Sequence, residues 1–234
     1  MSLIFSPLSE EVLESPYPPV PKGVFLMLPL GKGITKLEMD MESVVSKVLS
    51  RRKFIAIKAT TKRGQKDYLE KIIQMIRGCG YGIAIFSENT SASTLANIFF
   101  EIALCNLLGK PVILVKTEKA DAPSDFVRTE WVTYKTGKHD QLDKEFSESV
   151  SSIKELAKHY EKLGDIAMEA EDVDLELAYE RYRQSFLITN KTSTKNKISN
   201  ILTILKSPDE PSAILKPVRT RLRKSITEFY KLLP

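Results

Sequence analysis

Tyr81-Gly82-Ile83-Ala84-Ile85-Phe86, a polar break through Ser91, Leu95 to Leu108, then Gly109-Lys110-Pro111-Val112-Ile113-Leu114-Val115: this stretch decides the fold. The first run is short and apolar throughout, as a strand buried on both faces must be. Ser91, Ser93 or Thr94 can cap the helix that follows, and Gly109 can end it. A second apolar run, Pro111 to Val115, reads as the next strand. Working outward, Val24 to Leu28 is a strand closed by Pro29 and Gly31, and Phe54 to Ala59 is another. Between them Leu37, Met41, Val44, Val45, Val48 and Leu49 recur at helical spacing. Tyr68, Leu69, Ile72, Ile73 and Ile76 do so again before Gly78 and Gly80. Trp131 to Tyr134 supplies a fifth strand. Strict alternation of apolar strands with helices predicts an α/β fold, a doubly wound parallel five-stranded sheet covered on both faces.

Ligands of such sheets collect outside the carboxyl ends of the strands, where strand order reverses. The loops available there are Pro29 to Thr35, Thr60 to Gln65, Ser87 to Thr94 and Thr117 to Asp125. The helix leaving the third of these carries one charge between Glu88 and Lys110, namely Glu101. Its surroundings, Leu95-Ala96-Asn97-Ile98-Phe99-Phe100 and Ile102-Ala103-Leu104, predict a largely buried helix. An ionised group there costs several kcal/mol unless it is paired, hydrogen-bonded or open to a cleft. Asn97, Glu101 and Cys105 fall at i, i+4 and i+8, one stripe of the helix. With the helix starting at Leu95, Asn97 and Glu101 lie in its first two turns, where the dipole favours a carboxylate. Glu101 is therefore either a carboxylate satisfied structurally or the acid of an active site.

After Leu142 the pattern is helical alone. Leu142, Phe146, Val150, Ile153, Leu156 and Tyr160 continue without proline or glycine to Gly164. Three segments follow: a proline-rich arm at 1–22, the α/β domain at 23–152 and an all-helical domain at 153–234. Tyr160, Leu163, Gly164, Ala167, Ala178, Tyr182 and Ser185 resemble the large and small packing positions of one tetratricopeptide hairpin. Further helices are expected at Lys195 to Leu205 and about Leu215 to Leu233, with Thr189 to Thr194 a loop.

The chain is 234 residues long with a net charge of +5. After Asn190 there are ten Lys or Arg against Asp209, Glu210 and Glu228, so the tail holds +7 and the rest −2. Leu215, Val218, Leu222, Ile226, Phe229 and Leu233 make that tail an amphipathic helix, whose wet face would hold Arg219, Arg221, Arg223 and Lys224. Nucleic-acid binding is not expected, because no recognised module accompanies the charge. Two cysteines and two histidines, far apart in sequence, predict no metal site or disulfide framework. No apolar run reaches membrane-spanning length, and the acidic, proline-rich start is unlike a signal peptide, so a cytoplasmic location is expected. Gly31-Lys32-Gly33 is read as a turn, and Lys62, Arg63 and Lys66 as a solvated loop, since no glycine-rich phosphate loop leads into a helix.

Val24-Phe25-Leu26-Met27-Leu28-Pro29-Leu30-Gly31-Lys32, Asn97-Ile98-Phe99-Phe100-Glu101-Ile102-Ala103, Gly109-Lys110-Pro111-Val112-Ile113-Leu114, and Ser124-Asp125-Phe126 ahead of Tyr134 together resemble the nucleoside 2-deoxyribosyltransferase-like family. That family is similar in fold to TIR-type NAD-cleaving domains and is flavodoxin-like. The resemblance covers about Gly23 to Ser152. It implies Glu101 as the catalytic carboxylate, Asn97 as the asparagine one turn earlier and Asp125 as the rim aspartate. With the rim loops, the ligand-binding set becomes Asn97, Pro29, Gly31, Ser87, Glu88, Asn89 and Asp125. The implied ligand is a nucleotide or nucleoside, and the implied reaction cleavage or transfer at its N-glycosidic bond, with no cofactor. A carboxylate suits that reaction because it stabilises or captures an oxocarbenium-like centre. A homo-oligomer and a protein partner for the helical tail are further expectations. Two positions depart from the family: Ser87-Glu88-Asn89-Thr90 stands where an aspartate commonly follows the third strand, and Ala103 stands where glycine is common. Either Glu88 replaces that acid, or part of the substrate-binding shell is absent.

Overall fold

The computed structural model describes residues 18–29, 33–59, 68–122, 130–206 and 216–233. Gly31, Asp125, Lys62, Arg63, Lys66 and most of the proline-rich arm lie outside them. Two compact units are present: Lys22–Ile153, and one built on Lys154–Pro234.

In the first unit, β1 (Gly23–Met27), β2 (Ile55–Lys58), β3 (Tyr81–Phe86), β4 (Val112–Thr117) and β5 (Glu130–Tyr134) form one sheet in the order β2-β1-β3-β4-β5. Every pairing is parallel, with Val24 opposite Tyr81, Gly82 opposite Val112 and Leu114 opposite Trp131. The central strands β1, β3 and β4 are buried at every residue, as their unbroken apolar runs require. Strand β2 departs from the expectation of cover on both faces. It is an edge strand, and Ile55 and Ala56 are exposed. An apolar run by itself does not distinguish a central strand from an edge strand.

Helix α1 (Lys36–Arg51) packs on β2 and β3 through Met41, Val44, Val45, Val48 and Leu49. Helix α2 (Tyr68–Gly78) packs on β1 and on α3 (Ala92–Leu107), and α3 also lies on β1, β3 and β4. Close approach of α3 to the sheet depends on Gly82: a Cβ there would sit 3.1 Å from Cys105 Sγ and 2.8 Å from Met27 Cε. Two expectations about α3 are corrected. The helix starts three residues before Leu95, because Ser91 is the N-cap and its hydroxyl accepts from the Thr94 N–H. It is also not buried all round. Ile98, Ile102, Leu104 and Cys105 face inward, while Ala96, Asn97, Phe100, Ala103 and Leu107 are exposed.

Helix α4 (His139–Glu169) begins in the first unit and runs unbroken through Gly164. It is followed by α5 (Leu175–Thr189), α6 (Thr192–Ile204) and α7 (Lys216–Leu232). Thr192 to Thr194 belong to α6 and not to a loop. The turn is short because Asn190 takes a left-handed conformation, φ 54°, and donates to the Phe186 carbonyl. The helical core gathers Ala167, Leu175, Ala178, Tyr179, Tyr182, Phe186, Ile198, Ile201, Leu222, Ile226 and Phe229. The Tyr182 ring packs against Gly164, where a Cβ would sit 2.5 Å from Cε1. Its hydroxyl donates to Asp165 at 2.8 Å, and the Lys197 ammonium donates to both Asp165 oxygens at 2.7 and 2.9 Å.

Candidate functional site

Strand order turns at the β1–β3 junction, and the loops leaving these strands build a polar cluster at the carboxyl edge. Its centre is Glu38, fully buried in the first turn of α1. Glu38 Oε2 accepts from the Thr35 N–H at 2.6 Å, Oε1 accepts from Ser87 Oγ at 2.8 Å, and Thr90 Oγ1 donates to Oε1 as well. Burial alone would raise its pKa. The donors Thr90, the Thr35 N–H and Ser87 outweigh that and hold the carboxyl below its usual range. The Ser87 to Thr90 turn is closed by the Ser87 N–H donating to Thr90 Oγ1 at 2.9 Å and the Asn89 N–H donating to Ser87 Oγ at 3.2 Å. Thr117, at the end of β4, ties in Glu88: its hydroxyl donates to the Glu88 carboxylate, which keeps that carboxyl below its ordinary value. Glu88 and Asn89 themselves are exposed.

The structure thus brings Ser87, Glu88 and Asn89 together, and adds three residues that sequence reasoning missed: Glu38, Thr90 and Thr117. Glu38 had a legible signal. Thr35-Lys36-Leu37-Glu38 is a capping-box pattern at a predicted helix start. Pro29 follows β1 and is buried beside the same edge.

Glu101 lies apart from this cluster, on α3, which packs with α2 and makes no comparable contact with α1. It is the tenth residue of α3, about 14 Å of helix rise from Ala92, so it lies in the third turn and beyond the reach of the N-terminal dipole. That corrects the expectation of a carboxylate stabilised by the helix start. Glu101 is half-buried and has no hydrogen-bond or ion-pair partner among the described residues, and burial pushes its pKa up to about 7. Down the stripe, Asn97 is exposed, Glu101 half-buried and Cys105 fully buried. The Cys105 thiol is raised by burial, then by Cys79 and by Glu101. The stripe therefore descends from solvent toward the core, with the acid midway. A carboxyl poised near neutrality can act as an acid or as an anion under ordinary conditions.

At the end of β4 the buried Lys116 ammonium donates to the Ala120 carbonyl at 2.7 Å and lies over the Trp131 ring at 5.4 Å, fixing the loop that opens the fourth rim segment. A groove of about 550 Å³ lies away from this edge, between α1 and Asp143, lined by Ser43, Ser46, Lys47, Ser50 and Arg51. No group of His, Cys, Asp and Glu among the described residues could hold a metal ion. No helix among them is long and apolar enough to cross a membrane.

No protein-family model, curated protein or solved structure matches the chain.

Proposed function

We propose that unit Lys22–Ile153 is a flavodoxin-like domain that binds a nucleoside or nucleotide at its carboxyl edge and breaks the N-glycosidic bond with Glu101. The strand order 2-1-3-4-5 supports the flavodoxin-like reading, because that order places a crevice where β1 meets β3. The observation that carries the chemistry is Glu101 itself, an acid without a described partner and with a pKa near 7, on the helix that leaves β3.

The ligand enters over Glu88 and Asn89 and extends down the α3 flank past Asn97. The ionised Glu101 faces the anomeric carbon. As the carbon–nitrogen bond breaks, its electron pair leaves with the base, which takes up a proton. The carboxylate either balances the charge left on the sugar or forms a bond to it, and water or an acceptor hydroxyl completes the exchange. Asn97, one turn above, orients a ribose hydroxyl. Glu38 does not react: its two oxygens accept from Thr35, Ser87 and Thr90, and it holds the rim turn in place.

A second reading, a ligand sensor or interaction module without catalysis, is favoured by one surface of the helical unit. At the turn between α4 and α5, read above as a tetratricopeptide-like hairpin, Ile166, Val173 and Leu177 are exposed at 59%, 46% and 42%. Glu169, Glu171, Asp172 and Asp174 surround them, a surface suited to a partner segment that is both basic and apolar. Calorimetric titration with nucleosides, nucleotides and NAD, with parallel chromatography for free base, separates the readings. Binding with base release supports the first, binding without release supports the sensor form of the second, and neither binding nor release refutes both of these and leaves the interaction module.

A further inference from the structure

The outer face of α3 is unusual for a helix turned to solvent. Ser93, Ala96, Phe100, Ala103 and Leu107 are all exposed, Phe100 at 47% and Leu107 at 72%, and no Asp, Glu, Lys or Arg stands among them. The one charge on the helix, Glu101, is half-buried and lies off this stripe. A solvent-facing helical stripe ordinarily carries charge. The intervals here are three, four, three and four residues, the spacing by which two helices interlock side chains.

Sizes along this seam alternate: small Ala96, large Phe100, small Ala103, large Leu107. Lay a second α3 antiparallel across a two-fold axis, in the register that sets Phe100 of one copy opposite Ala103 of the other. Leu107 then falls opposite Ala96, and every large side chain meets a small one. A parallel two-fold pair would set Phe100 on Phe100 and Leu107 on Leu107, with gaps at the alanines, which packs poorly. Charge points the same way. In a two-fold contact a surface meets itself, so any ionised seam residue would face its own sign near the axis. This seam holds none, and it gives an acidic or basic partner nothing to read.

We propose that the outer face of α3 is a self-association surface and that its occupant is the antiparallel α3 of a second copy of this chain. The seam from Ser93 to Leu107 is about 21 Å long. A single helix pair of that length buries less than the roughly 1,200–2,000 Å² of a standard interface. The dimer is therefore weak and concentration-dependent. Asn97 stands on the flank of the seam, so pairing narrows the approach to the side of α3 that holds Glu101. The inference does not depend on glycosidic-bond chemistry and is tested without a ligand.

Sedimentation velocity on the full chain, from about 5 to 500 µM, reads the mass against the 26.4 kDa monomer. The expected result is a shift toward twice that mass as concentration rises. Ala103→Phe, which sets two phenylalanines against each other, should weaken association at least tenfold. Phe100→Ala/Ala103→Phe, which restores large against small, should recover it. Leu107→Glu should leave a monomer with unchanged circular dichroism, which keeps the test valid should Ala103→Phe disturb the fold. A wild type that stays monomeric at the highest concentration overturns the proposal. So does a dimer indifferent to both Leu107→Glu and Ala103→Phe. A double variant as dissociated as Ala103→Phe alone overturns the antiparallel register.

Discussion

Glu101→Gln should stabilise the α/β unit, and only above a definite pH. In the folded chain burial raises the carboxyl from 4.5 to about 7. The folded state thus favours the neutral form. Its contribution is complete below pH 4.5, is lost progressively as pH rises to 7, and is constant above that. A shift of this size corresponds to about 3 kcal/mol at 1.4 kcal/mol per unit. Glutamine keeps the shape and has no charge to desolvate. The variant and wild type should therefore be nearly equal in stability near pH 4.5 and differ by up to about 3 kcal/mol at pH 8, the variant being the more stable. Other titrating groups are common to both proteins and cancel in the difference. The chain has one tryptophan, Trp131, and it lies in β5, so its emission during urea unfolding reports on this unit. A stability difference that stays flat from pH 5 to 8.5, or a variant less stable at pH 8, would refute the argument that Glu101 is an unpaired acid in a desolvating environment.

Glu38→Ala should destabilise the same unit by about 2–4 kcal/mol, because it strands the Ser87 and Thr90 hydroxyls and the Thr35 N–H in a buried place; urea midpoints read by Trp131 emission measure it. The Glu38 pKa is depressed, so that stabilisation is present above the unfolded value and fades as acid drives pH down through the folded one, shrinking the difference between wild type and Glu38→Ala. Gly164→Ala, which in an exposed helix would gain stability, should instead cost about 1–3 kcal/mol, because the new methyl meets the Tyr182 ring; helical ellipticity on heating gives the sign directly.

The sheet was legible because its central strands are continuous apolar runs bounded by glycine, proline and polar turns, a pattern that few other structures produce. The edge position of β2 was not legible, since Ile55-Ala56-Ile57 reads like any buried strand and only the pairing order exposes it. The start of α3 was misplaced because apolar periodicity begins at Leu95, whereas hydrogen bonding begins at the Ser91 cap, and that error moved Glu101 a turn too near the helix start. Its outer face was misread for a related reason: Phe100 and Leu107 look like core residues in sequence, and only the packing shows that they are exposed. Within the rim, Ser87, Glu88 and Asn89 were found from the loop they share. Glu38 was passed over because its three partners come from segments far apart in sequence, although its own half of the capping box was visible. The αL conformation of Asn190, which tightens the α5–α6 turn, likewise depends on packing that a string of polar residues does not display.

The central claim is that Glu101 breaks an N-glycosidic bond in a bound nucleoside or nucleotide, and the rate of base release by wild type and Glu101→Gln tests it most directly. Chromatographic assay at pH 7, with NAD and with purine and pyrimidine nucleosides as separate substrates, should show release by the wild type. The glutamine variant should bind within a few-fold as tightly yet release base about 10²–10³-fold more slowly, the loss expected when a charge that acts only in the transition state is removed. Equal rates from the two proteins, or binding by the wild type with no base released from any substrate, would contradict it.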